Sequence, residues 1–88
     1  MIDYSKYQLN EENRKFIKEL SYIEEDQTFT ILNYNNEFEF CIEMENSKVH
    51  IYSEGKELGV FDTIEDMILT FQIDGKPFIE LIDKINYV

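Results

Sequence analysis

Eighty-eight residues provide for one hydrophobic core, because a chain of this size buries only about 60–65% of its unfolded surface and its apolar residues have to converge on a single centre. The apolar material suffices, at 43% hydrophobic with seven Phe and six Tyr, while three Gly and one Pro leave little for flexible linkers. Nineteen acids against eight Lys and Arg give a net charge of −11, which argues against direct nucleic-acid binding and against anionic membranes, since Lys and Arg supply most of the affinity for phosphate.

The acids are unevenly spread. No base lies between Lys18 and Lys48, a stretch with eight acids, and none between Lys56 and Lys76, where five more fall. The single cysteine, Cys41, excludes an internal disulfide and the paired cysteines of zinc ribbons. The opening "MIDYSKYQLNEENRK" lacks the apolar core of a signal peptide. No apolar run approaches the ~20 residues of a membrane span, so the expected compartment is the cytoplasm. Abundant Ile, Asn, Lys and Tyr with no Trp suit an AT-rich bacterial or phage genome.

Along the chain, the first expected element is a helix over residues 10–25. Asn10 is a good N-cap, Glu11 and Glu12 sit at the positive end of the helix dipole, and Phe16, Ile17, Leu20 and Ile23 form one apolar stripe. The triplet "EED" at 24–26 sets three negative charges at the negative pole. A frayed last turn with its acids in water is the simpler reading, an acidic patch the functional one.

Four strands follow, over 28–34, 37–45, 48–53 and 56–61, separated by "NN", "NS" and "EG". Asn and Gly tolerate positive φ, so each dipeptide suits a two-residue hairpin, which fixes register. The first hairpin then pairs Ile31 with Phe40 and Phe29 with Ile42. In the second, Met44 meets Val49 and Ile42 meets Ile51; in the third, Ile51 meets Leu58 and Val49 meets Val60. All six pairs are apolar and share one face, the pattern of an antiparallel meander.

Beyond the strands, Asp62 or Thr63 caps a helix with Glu65 or Asp66 at its third position, and Ile64, Met67, Ile68 and Phe71 make its stripe. "IDGKP" is a turn that sets Pro77 at the first position of a last helix. That helix runs to about Ile85, with Phe78, Leu81, Ile82 and Ile85 on one side. The expected architecture is a single α+β domain over residues 1–88, in the order αββββαα, with its helices on one face of the sheet.

The other sheet face is expected to carry Tyr34, Glu37, Glu39, Cys41, Glu43, His50, Tyr52, Glu57 and Phe61. Glutamates on adjacent outward positions of an inner strand are too costly to bury, so this face meets water or a partner. The register sets Glu43 opposite His50 and Glu45 opposite Lys48, favourable cross-strand pairs of about 0.2–1 kcal/mol each.

No catalytic constellation stands out. His50 is the only histidine, and a Cys41–His50 pair on a flat sheet face has neither an oxyanion hole nor a water-excluding pocket. "DTIED" and "IDGK" resemble pieces of calcium loops but lack the EF-hand ligand spacing. Gly55, Gly59 and Gly75 are isolated, with no phosphate-binding pattern. No enzyme activity, metal or cofactor is expected.

The expected function is a protein-binding module of the immunity or inhibitor kind, which would occupy the basic cleft of a nucleic-acid-handling protein. Glu37, Glu39, Glu43 and Glu57 would supply charge, Tyr34, Tyr52 and Phe61 the aromatic anchors, and His50 lies among them. The alternative is an accessory domain whose acidity serves solubility, with a homodimer joined through an edge strand as one form of it. A small-ligand carrier with a pocket between sheet and helices is a third class.

Overall fold

The computed structural model describes residue 7, residues 9–26 with side chains up to residue 23, and residues 29–88. Helix α1 (Glu11–Asp26) starts where Asn10 caps it: the Asn10 side-chain Oδ1 accepts the Asn13 N–H at 2.8 Å. Its stripe is the expected one, with Ile17, Leu20 and Ile23 buried. Phe16 is half-buried, its ring 5.0 Å from that of Tyr87. The side chains of 24–26, on which the reading of the acidic last turn depends, lie outside the described residues, as does Thr28 at the start of the first expected strand.

The strands β1 (Phe29–Tyr34), β2 (Phe38–Glu45), β3 (Lys48–Ser53) and β4 (Lys56–Phe61) form a meander, followed by α2 (Ile64–Thr70). Thr63 caps α2, its Oγ1 accepting the Asp66 N–H at 3.0 Å. A small hairpin of β5 (Gln72–Ile73) and β6 (Lys76–Pro77) leads into a 3-10 helix (Phe78–Lys84), and the chain returns as β7 (Ile85–Tyr87). The main sheet is antiparallel in the order β4-β3-β2-β1-β7. The fold is therefore α+β with a five-stranded sheet, one strand more than expected.

The last element departs from expectation for a reason visible in its spacing. Phe78 and Leu81, and likewise Ile79 and Ile82, repeat at intervals of three, and all four are buried. That repeat matches three residues per turn, so the segment buries its apolar side chains as a 3-10 helix. Pro77 stands before it in an extended conformation (φ −67°, ψ 150°) rather than in its first turn. The buried side chains of α1, α2 and the 3-10 helix join those of the inner sheet face in one cluster, centred on Phe40, Ile42, Val49 and Ile51.

Only the middle hairpin keeps the expected register throughout, with Ile42 opposite Ile51 and Met44 opposite Val49. In the first hairpin, Asn35 and Asn36 adopt positive φ (55° and 58°), and the Glu37 N–H returns to the Tyr34 carbonyl at 3.0 Å. The ladder begins only at Tyr34 opposite Phe38, so Glu37 is an extra residue. This inverts β1. Leu32 and Tyr34 face the core, whereas Phe29 and Ile31 face outward opposite Glu43 and Cys41.

The turn accounts for the slip: Glu37 joins Asn35 and Asn36 in a three-residue loop, which moves β1 by one position against β2 and so exchanges its two faces.

The third hairpin starts as expected, with Ser53 opposite Lys56 and Tyr52 opposite Glu57. A bulge at Leu58 then shifts the pairing, so that Ile51 meets Gly59, His50 meets Val60 and Val49 meets Phe61. Phe61 thus turns inward, its ring 6.1 Å from that of Phe71. Gly59 leaves room for it: a Cβ there would stand 3.0 Å from the Phe61 ring.

Candidate functional site

Register decides which expected site residues share the outer face. Glu39, Glu43, His50, Tyr52 and Glu57 lie there, on β2, β3 and β4. Tyr34 and Phe61 do not; the slip and the bulge turn both toward the helices. Glu37 sits in the first turn, at one end of the sheet, rather than on a strand. Phe29, Ile31 and Val60 take their places on the outer face, alongside Glu45, which lies there opposite Lys48 as expected. A three-residue turn in place of a two-residue one brings Phe29 and Ile31 outward, and the run "NNE" is compatible with either.

The side chains at the centre form one hydrogen-bonded group. His50 Nδ1 lies 2.6 Å from Glu57 Oε1 and 3.6 Å from Glu45 Oε2. The Tyr52 hydroxyl donates to the same Glu45 oxygen at 2.7 Å, and the Tyr52 and His50 rings lie nearly parallel, 7° apart, with centroids at 6.1 Å. The hydrogen bond to Glu57 raises the His50 pKa, helped by the fields of Glu45 and Glu57 against partial burial. The bond to Glu45, with partial burial and the surrounding carboxylates, pushes Tyr52 up to about 12.

The ion pairs differ from those expected. Glu43 faces His50 across the strands as the register requires, yet His50 turns to Glu57. Lys48 faces Glu45 but bonds Asp62 at 2.6 Å, and this lowers the Asp62 pKa. The two basic side chains on this face are therefore both engaged elsewhere. Among the described residues, the carboxylates of Glu39 and Glu43 have neither a hydrogen bond nor a counter-charge.

Beside those two carboxylates runs an apolar strip. Phe29 is 58% exposed, Ile31 37% and Val88 68%. Val88 is joined to Ile31 by a backbone hydrogen bond of 3.0 Å from its N–H to the Ile31 carbonyl. Cys41 sits half-buried between the strip and Tyr52. Burial first, and then the charge of Glu43, raise its pKa, so the thiol stays protonated near neutral pH. Among the described residues no group of three or more His, Cys, Asp or Glu is placed to hold a metal ion, and no helix is long and apolar enough to cross a membrane.

No protein-family model, no curated protein and no solved structure matches the chain. What it does is read from its own residues.

Proposed function

We propose that the protein is a binding module, without chemistry of its own, for a basic protein partner that docks on the outer sheet face. The observation that carries this reading is the exposed strip Phe29, Ile31 and Val88 lying beside the unneutralised carboxylates of Glu39 and Glu43. An apolar centre with charge at its margin is the usual anatomy of a specific interface. The partner has to bring cationic groups to Glu39 and Glu43 and an apolar counterpart to Phe29. Proteins that handle nucleic acid carry basic surfaces of this kind, which keeps inhibition of such a protein as the favoured role.

Opposite charges speed encounter and weaken with salt, whereas burial of Phe29 contributes independently of salt. The test is affinity capture from the host lysate at about 50 and 300 mM salt, beside a Phe29→Ser variant. A partner that is weakened by salt and lost from the variant supports the reading. A partner held equally by both proteins places binding elsewhere, and no partner under any condition leaves a solvated acidic surface.

A further inference from the structure

A groove of about 540 Å³ opens at one end of the sheet, between the first hairpin turn and the β5–β6 hairpin. It lies off the outer face, at the margin of the core, where Tyr34, Phe71 and Ile73 of the core cluster line it. Its walls are apolar and largely aromatic, made by Tyr34, Phe38, Leu58, Phe71 and Ile73. Its rim carries Glu37 from one turn and Asp74 from the other, both exposed, and no base lines it. Pockets of about 300–1,000 Å³ accommodate drug-sized ligands or a few side chains.

Tyr34 is the telling residue. It is 8% exposed, yet among the described residues its hydroxyl has no hydrogen-bond partner. The ring is packed into the wall while the hydroxyl is open to the groove, where it is free to accept a hydrogen bond from a ligand. Phe38 stacks on Phe40 at 5.5 Å with 21° between the rings, which fixes the orientation of its own ring in the wall.

We propose that this groove binds an arginine side chain in an extended segment of a partner protein, with apolar residues beside the arginine. The guanidinium is planar, lies well against aromatic rings and forms paired hydrogen bonds with carboxylates. Glu37 and Asp74 supply the carboxylates, Phe38 and Phe71 the rings, and the Tyr34 hydroxyl an acceptor for a guanidinium or backbone N–H. The apolar neighbours of the arginine cover Leu58 and Ile73. This site is separate from the outer face and goes beyond the function proposed above, so either stands if the other falls.

The probe is the capped tripeptide acetyl-Leu-Arg-Leu-amide, followed by chemical-shift changes at Tyr34, Phe38 and Ile73. Its control is the citrulline analogue, which keeps the shape and removes the charge. The expected result is saturable binding in the millimolar range at these residues, weakened at least about fivefold by citrulline and by Glu37→Gln/Asp74→Asn. It should persist in a Glu39→Lys/Glu43→Lys protein, whose outer face is altered. Equal binding of both tripeptides would overturn the proposal, as would no saturable change at about 10 mM. Changes confined to the outer face would overturn it too, since they would mark general charge attraction.

Discussion

At the scale of single residues, His50 shows how the acidic surface organises itself. Glu45 and Glu57 approach it from β2 and β4, Glu43 lies opposite, and Tyr52 covers its ring. Because its folded pKa is raised, the charged pair stabilises the fold fully below the ordinary value of 6.5 and is lost as pH rises through the folded value. A His50→Gln protein lacks this contribution. Its deficit against the native chain, read from urea midpoints, should be largest below pH 6.5 and shrink as pH rises through the raised folded value. A deficit that does not change with pH would mean that the ring acts by packing alone.

Asn33 is a second residue with a disproportionate effect. Its Oδ1 is buried between β2 and β7, without a hydrogen-bond partner among the described residues. Replacing an unpaired acceptor by a β-branched apolar side chain in a strand removes that penalty and suits the pleat. Asn33→Val should therefore raise the unfolding free energy by about 1 kcal/mol. A loss of stability would instead assign the amide a partner that the protein needs.

At the scale of elements, what could be read from the sequence was decided by how many alternatives each segment allowed. β2 and β3 were legible because polar and apolar residues alternate strictly and the "NS" turn permits one register; those pairs stand as expected. The stripe of α1 and the cap of α2 were legible for the same reason. β1 was not, because "FTIL" offers apolar residues at both parities and "NNE" allows a turn of two residues or of three. The bulge at Leu58 was hidden because it exchanges Val60 for Phe61, two residues equally at home inside. β7 was missed because Ile85 also completes a helical stripe.

Those irregularities also bear on association. β4, one edge of the sheet, is interrupted by the bulge, and β7, the other edge, is three residues long. Both are poor templates for a second copy of the chain, which weakens the case for a homodimer joined edge to edge. The outer face remains the larger unpartnered surface, and its glutamates would repel their own copies.

At the scale of the whole molecule, the charge is the dominant fact. A net charge of −11 on a body with a radius of gyration of 12.1 Å repels itself, and that repulsion opposes compaction. Added salt should raise the melting temperature by a few degrees between about 20 and 500 mM NaCl at pH 7. A melting temperature that falls with salt would mean that attractive pairs, such as Lys48 with Asp62, outweigh the repulsion. If acidity served solubility alone, its position on the surface would not matter; the proposed function requires that it does.

The decisive measurement therefore moves the same charge to two places. Capture of the partner is compared between a Glu39→Lys/Glu43→Lys protein, altered on the outer face, and a Glu12→Lys/Glu80→Lys protein, altered on exposed positions of α1 and the 3-10 helix. Both pairs change the net charge equally. The account predicts that the first variant loses the partner by at least about tenfold and that the second keeps it. Equal losses would reduce the interaction to net charge, and loss from the second variant alone would move the binding surface to the helices and contradict the account.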